Sequence, residues 1–193
     1  MLNYIYTRKL RHNCEKSNLK FLVTVKKNLV LLGMMAVGKS TLGKIVAKKQ
    51  GLIFIDTDMN IEKKCSMKIS EIFKKKGEEF FRKTEEKEVL EVLEKNNCVI
   101  ALGGGAFMKK TVRDKILKDA ISIWLDTNLK TLNKRIKWSK KRPLLIGNDS
   151  QITLNKLYAE RKNIYKLAKY KINCSNLSRL VIVKKIISFY EKQ

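Results

Sequence analysis

Gly33-Met34-Met35-Ala36-Val37-Gly38-Lys39-Ser40 fits the spacing G-x-x-x-x-G-K-S/T. Each fixed residue suits phosphoryl chemistry. The glycines allow a tight turn whose backbone N–H groups wrap phosphate oxygens. The lysine brings a point charge to the β- and γ-phosphates, and the hydroxyl is a hard ligand for Mg²⁺. The apolar run Leu29-Val30-Leu31-Leu32 just before it reads as a buried strand, and Thr41 to Lys49 just after it as a helix. A helix opening there turns free N–H groups and the positive end of its dipole toward an anion. The alternative is an ordinary glycine-rich turn between strand and helix.

Two further segments bear oxygen ligands or close backbone. Asp56 and Asp58 flank Thr57 at the end of the short apolar run Leu52 to Ile55. Strand alternation aims both carboxylates one way. One could hold Mg²⁺ through water, and the other could orient or deprotonate a substrate hydroxyl. Capping of a helix that begins near Met59 is the other reading. The buried run Cys98 to Leu102 ends in Gly103-Gly104-Gly105 and carries no terminal Asp, which leaves Asp56 as the better metal-side carboxylate. Three glycines admit a ligand close to the backbone and offer several N–H donors, or they form a flexible connector.

The arginines discriminate further. The chain has 35 Lys and only 8 Arg, so positions that use the planar fork stand out. Arg82 opens an acidic helix beside Phe81, with Glu78 and Glu85 at bracing distance, as a site group or an exposed ion pair. Arg142 precedes Pro143, the sole proline, inside the polar stretch Ser139 to Ser150. A rigid element in a polar loop suits a lid that brings Arg142 to the γ-phosphate; an exposed turn is the alternative. Arg161 lies within the apolar helix stripe of Leu154, Leu157, Tyr158, Ile164, Tyr165 and Ala168, where a cation must snorkel or meet an anion.

The elements that must position these residues alternate along the chain. Strands are expected at Leu29–Leu32, Leu52–Ile55, Cys98–Leu102, Ile121–Leu125 and Tyr170–Cys174. Helices are expected at Lys39–Gln50, Met59–Cys65, Ser70–Lys75, Glu78–Lys95, Lys109–Lys118, Leu129–Trp138, Ile152–Ala168 and Ser178–Tyr190. This order predicts an α/β domain, a parallel sheet with helices on both faces and its ligand at the strands' carboxyl ends. Residues 1–26 are a basic extension outside the domain at 27–193, read as disordered, an over-long start or a targeting peptide.

Composition excludes several classes. The only histidine, His12, lies in the tail, which argues against a histidine-based triad or metal site in the core. Four dispersed cysteines offer no CxxC pair or disulfide framework and fit a reducing cytosol. The longest apolar stretch, Leu29 to Val37, is too short to span a bilayer. The formal charge of +25 comes mostly from lysines scattered over nearly every helix, which reads as a solvated surface with no specific nucleic-acid motif. The residues alone therefore give phosphoryl transfer to a small acid.

In combination these segments resemble shikimate kinases. The resemblance runs from about Lys27 to Gln193 and adds Ile69-Ser70-Glu71-Ile72-Phe73, Gly77-Glu78-Glu79-Phe80-Phe81-Arg82, Arg142-Pro143-Leu144-Leu145 and the set Arg161, Tyr165 and Ala168. It implies a P-loop fold of the nucleoside-monophosphate-kinase type with a five-stranded parallel sheet. It also implies ATP-dependent phosphorylation of the shikimate 3-hydroxyl in the route to chorismate and aromatic amino acids. Lys39, Asp58 and Arg142 would be catalytic. Asp58, Phe73, Phe81, Arg82, Gly103, Gly104, Gly105 and Arg161 would bind shikimate, with Arg82 and Arg161 clamping its carboxylate. Gly33, Ala36, Val37, Gly38, Lys39, Ser40, Thr41, Arg135 and Arg142 would bind ATP, with Arg135 stacked on adenine. Ser40 and Asp56 would hold Mg²⁺, the latter through water. A cytoplasmic monomer with a lid at about 139–150 is expected. Asn163 replaces the family's proline two residues after the substrate arginine, Ala36-Val37 is bulkier than usual, and the basic tail has no counterpart. Another sugar-acid kinase of this fold, such as a gluconate kinase, would also suit two arginine clamps.

Overall fold

A computed structural model describes residues 26–137 and 150–192. Its strands are β1 (Asn28–Leu32), β2 (Ile53–Asp56), β3 (Cys98–Ala101), β4 (Ala120–Asp126) and β5 (Tyr170–Asn173). The helices are α1 (Lys39–Gln50), α2 (Thr57–Cys65), α3 (Ile69–Leu93), α4 (Lys110–Asp119), α5 (Leu129–Lys137), α6 (Ser150–Tyr165) and α7 (Arg179–Glu191), with a 3₁₀ turn at Ala106–Met108. The strands pair in the order β2-β3-β1-β4-β5, all parallel. Every residue of β1 and β3 is buried, as a strand covered by helices on both faces requires. This is the P-loop α/β fold that the motif order predicts.

Register brings the site together. Asp56 lies opposite Ala101, Ala101 opposite Leu31, and Leu31 opposite Ile123. The carboxyl ends of four strands therefore stand at one height, and the loops after β1 and β3 emerge beside the start of α2.

Local chemistry sets the element ends. Gly38 takes a left-handed conformation (φ 109) at the N-cap of α1, and Gly51 (φ 65) stops it. Asp56 caps α2 by accepting from the Met59 N–H at 3.2 Å. That helix consequently opens at Thr57, earlier than the sequence predicts. The expected short helix Ser70–Lys75 and long helix Glu78–Lys95 run together as α3, with Gly77 (φ 81, ψ 169) as a non-helical joint between them. The expected break is real, but it is a kink within one assigned helix. Ser150, expected in the lid loop, begins α6. Arg142 and the rest of that loop lie outside the described residues.

The main hydrophobic core fills the space around the sheet. A second small cluster of Ile61, Ile72 and Phe81 sits between α2 and the first half of α3.

Candidate active site

The phosphate loop is held open by glycines that cannot be replaced. A Cβ on Gly33 (φ 135) would fall 2.3 Å from the Leu125 carbonyl oxygen. Lys39 Nζ donates to the Gly33 and Met34 carbonyls at 2.8 and 3.1 Å. Ser40 Oγ donates to Asp56 Oδ2 at 2.5 Å. One oxygen of Asp56 thus caps α2, the second of the two readings, while the other accepts from Ser40. A cleft of about 300 Å³ lies over the loop, with Gly38, Lys39, Ser40, Thr41, Asp56 and Asp58 in its wall. Two hard oxygen donors so close together fit Mg²⁺, which keeps waters and substrate phosphate oxygens as its other ligands.

Asp58 reaches this cleft by a route that differs from the expected one. It occupies the first turn of α2, so helix geometry and not strand alternation aims it. Its carboxylate meets the turn after β3, together with that of Glu85. A Cβ on Gly103 would lie 2.6 Å from both Asp58 Oδ1 and Glu85 Oε1. On Gly105 it would lie 2.5 Å from Arg82 Nη1, and on Gly104 3.4 Å from Arg161 Nη1. None of these three glycines has a positive φ. Gly103 and Gly105 are needed for space, because three charged side chains press against them, whereas a Cβ on Gly104 would make only ordinary contacts.

Those charges form a connected set. Arg82 donates from Nη1 to Glu85 Oε2 at 2.7 Å and from Nη2 and Nε to Glu78 Oε1 at 3.0 and 3.2 Å. The Phe81 ring lies beneath, its centroid 5.2 Å from the guanidinium carbon, and Phe73 packs on Phe81 at 4.8 Å between centroids. Phe73 and Phe81, expected in the pocket wall, thus stand behind Arg82, and Phe81 is buried in the small cluster. Arg161 is only 6% exposed despite its charge. Its Nη1 donates to Gly104 O at 3.1 Å, and the Tyr165 hydroxyl donates to the same oxygen at 2.5 Å. Burial pushes the Tyr165 phenol up to about 12, with Arg161 opposing the shift. Burial also raises the Glu85 pKa above the ordinary carboxylate value. The Arg82 guanidinium opposes this, and the Asp58 charge adds to it. Arg82, Glu85, Gly105 and Arg161 line a second cleft of about 500 Å³.

The two clefts flank the triple-glycine turn: Gly104 lines the first, and Gly105 lines the second. A Cβ on Gly104 would lie 3.8 Å from both Gly33 O and Met35 N of the phosphate loop. The arginine-lined cleft and the phosphate-loop cleft are therefore separated by one glycine turn, with Asp58 in the wall of the latter.

Three residues do more here than their sequence context shows. Glu85, read only as a brace for Arg82, is the buried hub of the clamp. A signal existed: 85 and 88 fall in register with buried Phe81, Val89 and Val92 on α3. Arg113, which no motif singles out, donates to Phe107 O and Met108 O at 3.2 and 3.0 Å and pins the 3₁₀ turn that follows the glycines. Arg135 donates to the phosphate-loop carbonyls of Ala36 and Val37.

Comparison with known proteins converges on one family. A family model for shikimate kinase matches residues 35–191. The chain is 41% identical over 162 residues to the shikimate kinase of Bartonella quintana, covering 84% of this chain and 77% of that one. It is 39% identical to the shikimate kinase of Bacillus subtilis over 154 residues, covering 79% and 83%. The solved shikimate kinase from Acinetobacter baumannii in complex with shikimate superposes with a TM-score of 0.83 at 30% identity, covering 86% and 94%. A gluconokinase from Sinorhizobium meliloti superposes with a TM-score of 0.56 at 14% identity, which is a likeness of fold.

Proposed function

The chain belongs to the shikimate kinase family and phosphorylates shikimate with ATP, and we propose that its two adjoining clefts divide that reaction between nucleotide and acid. The contact of the triple-glycine turn with the phosphate loop at Gly104 carries this reading. It sets an acid held by arginines directly beside a bound triphosphate.

In the proposed arrangement the loop from Gly33 to Gly38, with Lys39, Ser40 and Thr41, holds ATP. Lys39 turns from the loop carbonyls to the β- and γ-phosphates. Ser40 and Asp56 would hold Mg²⁺, which when bound neutralises phosphate charge. Arg82 and Arg161 grip the shikimate carboxylate; Glu85 fixes the first fork, while Gly104 O and the buried position fix the second. The clamp leaves the ring hydroxyls toward Asp58, which orients the 3-hydroxyl. That oxygen attacks the γ-phosphorus, the bond to the bridging oxygen of ADP breaks, and Asp58 accepts the hydroxyl proton. Arg142, outside the described residues, is proposed to close over the γ-phosphate with its lid.

Cys65, Cys98 and Cys174 are free thiols, which supports a reducing cytosolic setting. Among the described residues no helix is long and apolar enough to cross a membrane.

An ADP-release assay with Mg²⁺-ATP and shikimate, gluconate or no acceptor tests the reading. Turnover with shikimate well above the other two is expected. Turnover that prefers gluconate, or needs no acceptor, would overturn it.

A further inference from the structure

Arg135 lies on α5, far from the phosphate loop in sequence, yet its Nη1 donates to two consecutive loop carbonyls: Ala36 O at 3.2 Å and Val37 O at 3.1 Å. Adenine stacking, the role the family resemblance implies, does not account for this contact. The carbonyls belong to the part of the loop whose backbone is hardest to hold. Ala36 sits at φ 61 and Gly38 at φ 109. Alanine stays in the left-handed region only where its surroundings over-determine it. A trans peptide is planar, so a held carbonyl sends the next residue's N–H the opposite way. Pinning Ala36 O and Val37 O therefore fixes the N–H directions of Val37 and Gly38, and Gly38 lines the nucleotide cleft.

The loop has a second brace at its other end, where Lys39 Nζ holds Gly33 O and Met34 O. That brace is released when Lys39 turns to phosphate. Arg135 holds its carbonyls without competing for the ligand. Both of its bonds use one nitrogen in the guanidinium plane, so the flat face remains available to a base.

We propose that Arg135 is a positioning residue for the triphosphate: it holds the Ala36–Gly38 end of the phosphate loop in its anion-binding shape, independently of any contact with the base. The inference rests on the ATP-binding reading above and adds to it a residue that aligns the loop without touching phosphate.

Inorganic tripolyphosphate with Mg²⁺ is a base-free probe. Its affinity and that of ATP are measured by calorimetry on wild type, Arg135→Ala, Arg135→Lys and Lys134→Ala, alongside steady-state kinetics. Arg135→Ala is expected to weaken tripolyphosphate and ATP alike, by about tenfold for lost charge-assisted hydrogen bonds. It should raise KM for ATP and leave KM for shikimate unchanged. Arg135→Lys keeps charge and a donor and should recover part of the tripolyphosphate affinity. Lys134→Ala removes an exposed neighbouring cation and should change it by about twofold or less. Loss of ATP affinity with tripolyphosphate spared would overturn the brace in favour of stacking alone. A Lys134→Ala effect equal to that of Arg135→Ala would overturn it in favour of general charge. Should Arg135→Ala melt early, Arg135→Lys decides between the same outcomes: a loss confined to ATP overturns the brace, and a partial loss on both ligands supports it. Failure of wild type to bind ATP would instead remove the nucleotide reading, so the two failures are distinct.

Discussion

Glu85 shows how one carboxylate serves a cluster of arginines. It is 3% exposed, ion-paired to Arg82 and close to the charges of Asp58 and Arg161. Glu85→Gln should misalign the Arg82 fork, raising KM for shikimate roughly tenfold or more with KM for ATP little changed. Equal effects on both substrates would show that the residue serves the fold and not the clamp. The same group gives a pH signature. Its folded pKa is raised, so the native state holds the proton more tightly than the unfolded chain. Its contribution to stability is therefore full below the ordinary carboxylate value of about 4.3 and is lost as pH rises through the raised value. Thermal melts across that window should decline less steeply with rising pH in Glu85→Gln. Identical slopes would refute the assignment. Arg161→Lys keeps charge but removes a planar donor that is buried against Gly104. It should raise KM for shikimate far more than KM for ATP, and a substrate analogue lacking the carboxylate should be insensitive to the change.

At the scale of elements, the turn after β3 leaves little room for a side chain. A methyl at Gly103 would collide with Asp58 and Glu85 at 2.6 Å, and one at Gly105 with Arg82 at 2.5 Å. Overpacking of this kind costs about 1–3 kcal/mol, and here it also displaces the groups proposed to bind and orient shikimate. Gly103→Ala should lower kcat/KM for shikimate by roughly two orders of magnitude while the melting temperature falls by only a few degrees. A fully active Gly103→Ala would mean that the carboxylates sit elsewhere during turnover. This turn also marks what can and cannot be read from the chain. The phosphate loop was legible because strand, glycine spacing and helix dipole are all local. So was the triple glycine as a site, because it ends a buried run. Its physical reason was not legible: the neighbours that exclude a Cβ come from α2 and α3, brought to the turn only by the fold. The backbone contacts of Arg113 and Arg135 were opaque for the same reason, since each grips backbone outside its own helix. Asp58 was placed at the right cleft by the wrong geometry, because the cap made by Asp56 starts α2 two residues before Met59.

For the whole molecule, charge is distributed unevenly. Residues 57–119 carry 15 basic and 12 acidic side chains, whereas the other described residues carry 20 basic and 4 acidic. The ion pairs among the described residues draw their acids almost wholly from that first segment; the pair of Lys171 with Asp126 is an exception. Cations on the remaining helices are thus left to set a positive field over the surface around a cleft that takes two anions. Such a field raises encounter rates and is screened beyond about 10 Å at 0.1 M salt. Raising ionic strength should therefore lower kcat/KM for both ATP and shikimate while kcat changes little, because the chemistry proceeds in a sheltered cleft. Flat kcat/KM across salt would show that the excess charge plays no part in capture. The same field attracts polyanions without reading them. Oligonucleotides of different sequence should bind with one shared, steep dependence on salt, as release of condensed counterions demands. Affinity that survives high salt and distinguishes sequences would instead make nucleic acid a partner in its own right, which the scattered lysines do not support.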